Sequence, residues 1–190
     1  MVKLIVALGN PGLEYELNRH NVGWLVVDTN SELSSKNWKQ KFKGIFTDLN
    51  IGGHKIYFLK PQTYMNLSGE SVRAMCDFFK IKLNEMIVLH DELDLPLGQI
   101  QFKQGGGLAG HNGLKSISSC MGGQDFYRMR IGIGRPVHGS VSSWVLSNFS
   151  QEQDIDLGIV LENSNKALEV FIKQGFKKAS NEYNKKNFLN

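Results

Sequence analysis

The sequence predicts a single α/β domain in three layers: a mixed, largely parallel twisted sheet with helices on both faces. Three observations predict it. The runs Val2 to Leu8 and Glu85 to His90 are short and almost wholly apolar, as strands buried on both faces are. Longer segments with helical spacing separate the strands, the order that builds parallel βαβ units. No internal repeat, low-complexity segment or long linker divides the 190 residues, a length that suits one full-sized core.

Each element follows from local chemistry. Val2 to Leu8 is the first strand, ended by the turn Gly9-Asn10-Pro11-Gly12. Val22 to Leu33 reads as a helix with Val22, Leu25, Val26 and Leu33 near one face. Lys36 to Lys43 is a charged connection. Ile45 to Ile51 and Lys55 to Leu59 read as strands joined at Gly52-Gly53, a dipeptide suited to a tight hairpin, and Pro61 ends the second. Ser68 to Phe79 reads as a helix with Ser68 as N-cap. Glu85 to His90 is the next buried strand, followed by a polar turn, Asp91 to Pro96. Gln99 to Lys103 is a short strand that runs into the glycine loop Gly105 to Gly110. Asn112 to Cys120 fits a helix and Tyr127 to Ile133 a strand. Ser150 with Gln153 makes a capping box for a long helix reaching about Gln174. From about residue 178 the basic tail reads as frayed.

Composition excludes several classes. No apolar run approaches the roughly 18 residues of a membrane span, and the first strand is too short for a secretion signal. Cys76 and Cys120 have no metal-ligand spacing, which fits a reducing cytoplasm, so Asn66 and Asn148 in N-x-S are not read as glycosylation sites. The net charge of +4 sits wholly at the end of the chain, where Lys173, Lys177, Lys178, Lys185 and Lys186 face only Glu182. That excess suits a polyanion such as RNA, and equally suits a solvated helix end.

Four polar clusters follow predicted strands: Asn10 to Asn21, Gln62 to Ser68, His90 to Asp94, and Gly105 to Asn112. In open α/β sheets, sites form outside the carboxyl ends of parallel strands, so clusters far apart in sequence can converge. Together they offer Asn10, His20, Asn66, Asp91, His111 and Asn112. An imidazole moves protons near neutral pH, a carboxylate orients it, and amides hold a neutral substrate or a developing oxyanion. No nucleophile elbow, zinc-binding H-E-x-x-H or Walker A sequence accompanies them, which points to an activated water. Gly105-x-Gly107-x-x-Gly110 formally fits the dinucleotide fingerprint, but no acidic residue stands about 20 positions further on. Each candidate also has a plain structural role. Asp91 suits a turn, Asn10 and Asn112 suit caps, Met65 suits a core, and Lys103 and Arg130 suit solvated strand ends.

The segments GNPGLEYELNRHNVG, KPQTYMNLSG, HDELDLPLG, GGGLAGHNGLKS and RMRIGIGRP resemble the bacterial peptidyl-tRNA hydrolase family in order and spacing, from Val2 to about Phe149. The resemblance implies an esterase that cleaves peptide from tRNA and so recycles stalled peptidyl-tRNA. It implies a cytoplasmic monomer with no cofactor, no metal and no membrane association. It makes His20 the catalytic base, Asp91 its carboxylate partner and Asn10 a further catalytic group. Asn66, Met65, Tyr15, His111 and Asn112 would contact the substrate's acceptor end and terminal ribose ester. Lys103 and Arg130 would hold a phosphate of the acceptor stem. Arg128 alternates with Arg130 and shares its face, so the choice of Arg130 rests on the resemblance. Two residues depart from the family pattern: Asn18, where threonine is common, and Ala109, where glycine is. His90 and His138 are left structural, and His54, beside the hairpin, is read as exposed. A silent RNA-binding protein and a dinucleotide-dependent enzyme are the competing functions; the intact His20, Asn10, Asn66 and Asp91 count against the first, and the missing distal acid against the second.

Overall fold

The computed structural model describes residues 1–189. The strands are β1 (Leu4–Ala7), β2 (Lys39–Lys41), β3 (Gly44–Ile51), β4 (His54–Pro61), β5 (Met86–Glu92), β6 (Ile100–Gln104) and β7 (Tyr127–Gly132). The helices are α1 (Val22–Asp28), α2 (Ser31–Ser34), α3 (Ser68–Phe79), α4 (Asn112–Met121), α5 (Val141–Val145), α6 (Asp154–Gln174) and α7 (Phe176–Tyr183).

One seven-stranded sheet runs in the order β2-β3-β4-β1-β5-β7-β6. β4, β1, β5 and β7 form its parallel centre, and antiparallel pairings add β3 and β2 at one edge and β6 at the other. The centre is apolar on both faces because each face carries helices. Ile5, Ala7, Ile87 and Leu89 pack with Val22, Val26, Val160, Leu168 and Phe171, from α1 and α6. Leu4, Val6, Leu8, Met86 and Val88 pack with Val72, Met75, Leu114 and Ile117, from α3 and α4. The period-2 alternation is therefore present in space but hidden in the sequence.

β4 pairs with one side of β1 and β5 with the other. The chain thus reverses its direction of spread at β1, and the carboxyl ends of β1, β4 and β5 open on one crevice. A glycine lets the chain close over that crevice. A Cβ at Gly23 would stand 2.6 Å from Leu89 O and 2.8 Å from Leu8 N, so only glycine lets α1 seat its first turn on these strand ends.

Several expected boundaries move, each for a local reason. The helix expected over Val22 to Leu33 breaks at Thr29–Asn30, because Asn30 Oδ1 accepts from Glu32 N and Leu33 N and starts α2 afresh. The charged connection Lys36 to Lys43 contains the edge strand β2, whose three residues are all exposed. Pro61 is the last residue of β4, opposite Gly44, rather than a residue beyond it. Ser68 is not the N-cap of α3 but its first residue, and its Oγ donates back to Met65 O. The glycine hairpin at Gly52-Gly53 has both residues at positive φ, 59° and 80°. The tail expected to fray from about residue 178 instead continues α7, buries Ala179 and Tyr183 on the sheet face, and ends with Phe188 N donating to Gly98 O. Its lysines read as a solvated face, while its apolar residues dock.

Candidate active site

The cleft at the switch point has a volume of about 600 Å³ and is lined by Asn10, Tyr15, His20, Met65, Asn66, Asp91, His111 and Asn112 among others. Eight of the ten expected site residues therefore meet there. Lys103 and Arg130 lie outside it, on the β6–β7 edge.

The centre is Asp91, at the carboxyl end of β5 and 4% exposed. Its Oδ1 lies 2.8 Å from His20 Nδ1 and 2.9 Å from His111 Nε2. Burial alone would push this carboxyl upward. The two facing imidazoles, through charge and hydrogen bonds, outweigh it and hold the group well below the usual carboxylate range. Asp91 is thus an anion, and an acceptor only.

That fixes the tautomers. His111 Nδ1 accepts from Gly113 N at 3.1 Å and Leu114 N at 3.4 Å, so the proton is on Nε2, which donates to Asp91. Both nitrogens of His111 are spent. His111, not Asn112, caps α4, with φ −65° and ψ 115° at the cap position. His90 is 1% exposed, and its Nδ1 lies 2.7 Å from Asp91 O. Burial holds His90 well below the ordinary imidazole value, hence neutral, and its Nε2 is buried without a partner. His20 differs from both. Its Nδ1–H donates to Asp91, which leaves Nε2 as a lone pair in the cleft wall. The rings of His20 and His111 stand 4.9 Å apart at 42°.

Asn10 is fixed as firmly. Its Oδ1 accepts from Met65 N at 2.8 Å. Its backbone exchanges two bonds with Asn21, whose Oδ1 accepts from Asn10 N at 2.8 Å and whose Nδ2 donates to Asn10 O at 3.0 Å. With the oxygen committed, the Nδ2 donors of Asn10 remain for a ligand. Asn66 and Asn112 are exposed at the cleft and Tyr15 is half-buried. Gly113 lets α4 pack closely here: a Cβ on it would stand 2.6 Å from Met65 Sδ and 2.9 Å from Leu8 Cδ1, and these side chains would have to shift.

A family model described as peptidyl-tRNA hydrolase matches residues 4–190. The chain belongs to the peptidyl-tRNA hydrolase family. It is 48% identical over 183 residues to the peptidyl-tRNA hydrolase of Citrifermentans bemidjiense, covering 96% of this chain and 97% of that one. It is 44% identical over 189 residues to that of Bacillus cytotoxicus, covering 96% and 100%. The crystal structure of peptidyl-tRNA hydrolase from Acinetobacter baumannii superimposes with a TM-score of 0.90 at 36% identity, covering 98% of this chain and 96% of that one.

Of three further arginines around the site, Arg19 and Arg135 were not singled out from the sequence and Arg128 was passed over for Arg130. Arg19, 4% exposed, stacks 3.8 Å over Trp144 and 5.1 Å from Phe149. Its Nη1 donates to Ser147 Oγ at 2.7 Å and to Ser147 O and Asn148 O, and its Nη2 to Gln153 Oε1 at 3.0 Å. It ties the backbone before His20 to α5, whose Val141 and Val145 wall the cleft. Arg128, 1% exposed, donates to the carbonyls of Gly105, Gly106 and Gly107. Arg135 lines the cleft and pairs with Asp94 at 2.7 Å. Arg19 stands between polar Asn18 and His20, and Arg128 alternates with Arg130 in one strand, so no local pattern marks either as buried. Arg130, whose plain reading was a solvated strand-end charge, is half-buried. Its Nε donates to Glu92 Oε2 at 2.8 Å and its Nη1 to Gln101 Oε1 at 2.9 Å.

Donor atoms of His20, Asp91 and His111 lie within 4.8 Å of one another, a grouping that could also hold a metal ion. The 2.8 and 2.9 Å separations are those of hydrogen bonds, and these account for the arrangement.

Proposed function

We propose that this chain hydrolyses the ester between a peptide, or an N-blocked aminoacyl group, and the terminal ribose of tRNA, and so returns free tRNA to translation. One observation carries the mechanism. Of the two histidines bonded to the ionised Asp91 carboxylate, only His20 keeps a ring nitrogen without a partner. Nε2 takes a proton from water as that water attacks the ester carbonyl. Asp91, on Nδ1–H, holds the tautomer and stabilises the imidazolium. The Nδ2 donors of Asn10 are placed for the oxyanion. Collapse of the tetrahedral intermediate breaks the bond to the ribose oxygen, which takes the proton back from Nε2. A positioned base contributes about 10²- to 10⁴-fold, and an ester's alkoxide leaving group makes a covalent nucleophile unnecessary.

Asn66 and Asn112, at the cleft mouth, orient the substrate, with Tyr15 and Met65 against its acceptor end. His111 acts through Asp91 and as the cap of α4. Lys103 and Arg130 hold a phosphate of the acceptor stem. Their strands are antiparallel neighbours, with Lys103 opposite Arg128 and Gln101 opposite Arg130, so both point to one face. No helix among the described residues is long and apolar enough to cross a membrane. The same proposal makes the protein a cytoplasmic monomer that uses no cofactor.

The test is purified protein with N-blocked aminoacyl-tRNA in the presence of a metal chelator. Ester cleavage should proceed and should fall by at least about 10²-fold in a folded His20→Ala variant. Full activity in that variant rules out His20 as the base.

A further inference from the structure

His90 is a buried titratable group that the hydrolytic chemistry does not use, and the sheet around it gives it a task. β1 and β5 pair in parallel up to Ala7 opposite Leu89, and Leu8 N donates to Leu89 O at 3.0 Å. In a parallel ladder, donors of one strand engage every second carbonyl of its neighbour. The next rung would therefore join Asn10 N to Asp91 O. That rung is not made, because Asn10 N donates to Asn21 Oδ1 at 2.8 Å. Nor does Asp91 O face β7 on the other side. Glu92 O does, and it accepts from Ile133 N at 3.1 Å. A buried carbonyl needs a donor. Asp91 O finds one in His90 Nδ1 at 2.7 Å, and no other among the described residues. One asparagine and one histidine thus take up the two halves of the missing rung, at the strand ends that carry Asn10 and Asp91.

Bulk does not explain a histidine here. A carbonyl only accepts, so the His90 proton is on Nδ1 and Nε2 is a lone pair. That Nε2 is buried without a partner, which costs stability. An apolar side chain of similar size would fill the space beside the His111 ring, 5.0 Å away and edge-on at 77°, without that cost. What it would lack is the Nδ1–H. Burial also keeps His90 neutral, so it orders the Asp91 backbone without adding a charge beside the Asp91 carboxylate.

We propose that His90 is a positioning residue for the reaction: its Nδ1–H fixes the Asp91 carbonyl where the β1–β5 ladder stops, and so holds the Asp91 carboxylate on His20 and His111. It acts through Asp91 and not on the substrate. The proposal rests on the tRNA-ester reading for the reaction that is measured, while the bond from His90 to Asp91 is independent of it.

Two variants separate positioning from packing. The Nδ2 of an asparagine takes the place of a histidine Nδ1, so His90→Asn keeps the donor and loses the bulk. His90→Phe keeps the bulk and loses the donor. With N-blocked aminoacyl-tRNA, His90→Phe should lower kcat about three- to tenfold, the rate equivalent of one net hydrogen bond, and leave KM within about twofold of wild type. His90→Asn should keep at least roughly half of the wild-type kcat, although its lost bulk makes it the less stable of the two in urea. The reverse order, with kcat following bulk, overturns the proposal, as does a change confined to KM. A further measurement needs no variant. A long-range nitrogen–proton spectrum of the full chain with labelled histidines should show His90 as the Nδ1–H tautomer near neutral pH. The Nε2–H tautomer would leave Asp91 O without its donor and overturn the proposal, and this spectrum decides should either variant fail to fold. A wild-type protein that cleaves the ester but carries the Nε2–H tautomer sinks the positioning role alone. One that carries the Nδ1–H tautomer but does not cleave sinks the tRNA-ester reading, and with it the reaction that His90 would serve.

Discussion

His111 performs two jobs with two nitrogens, and its replacement should separate them. Nδ1 caps α4 through Gly113 N and Leu114 N, and Nε2 donates to the buried Asp91 carboxylate. In His111→Ala both are lost. An N-cap is worth about 1 kcal/mol. A hydrogen bond to a charged group is worth about 1.5 to 3 kcal/mol, and here the anion left short of a donor is 4% exposed. The alanine variant should therefore unfold about 2.5 to 4 kcal/mol more easily. Asparagine is among the best N-caps but is too short to span the 2.9 Å contact that the imidazole makes to Asp91. His111→Asn should recover the cap, about 1 kcal/mol of the loss, and nothing of the rest. Urea unfolding of the three proteins measures this, with midpoints compared at equal m-value. Kinetics adds a second axis. With one of its two donors gone, Asp91 holds His20 less firmly, so both variants should lose about ten- to a hundredfold in kcat/KM, about 1.4 to 2.7 kcal/mol of transition-state stabilisation. Equal stability of the alanine and asparagine variants would refute the cap. Wild-type stability in both would refute the bond to Asp91 as a favourable contact.

Other outcomes follow from the same geometry. Asp91 is held below its ordinary pKa, so its ionisation stabilises the fold fully above the unfolded value of about 3.9 and is lost as pH falls toward the folded one. Below about pH 4, Asp91→Asn should lower the pH-slope of unfolding free energy by up to about 1.4 kcal/mol per pH unit, and an identical slope would contradict the depressed carboxyl. Arg19→Lys keeps a charge but loses the flat stack on Trp144 and the forked bonds to Ser147, Asn148 and Gln153. It should raise KM several-fold through a loosened α5 wall while the pH profile of kcat keeps its shape; a lower kcat at unchanged KM would indicate only a smaller folded fraction. Ala109 sits at φ 49°, a left-handed strain of about 1 kcal/mol, which Ala109→Gly relieves while adding unfolded-chain entropy of similar size. Tm should move by less than about 3 °C, while hydrogen exchange at residues 108 to 112 quickens; slower exchange would show that alanine does not stiffen the loop.

The chain's local chemistry determined much on its own. The buried strands, the glycine hairpin at Gly52-Gly53, the capping box at Ser150 and Gln153, and the convergence of polar loops at strand ends follow from turn residues and apolar spacing. These are interactions within a few positions. The expected site residues His20, Asp91, Asn10, Asn66, His111 and Asn112 were legible for the same reason, as polar groups gathered just after strands, and the order of the motifs pointed to the family. Element ends were legible less well, since Asn30 and His111 cap through side chains whose choice of partner depends on the final packing.

What only the tertiary structure decided is how those groups divide the work. No spacing in the sequence shows that Asp91 lies between His20, 71 positions before it, and His111, 20 after it. The hydrogen bonds that fix the ring tautomers cross that separation. The same holds for arginine. Arg19 is buried because Ser147, 128 positions away, and Trp144 close over it, and Arg128 because the loop 21 to 23 positions before it lays carbonyls on its guanidinium. A charge's burial and partners are set by chain segments that meet only on folding, and no spacing within one segment encodes them.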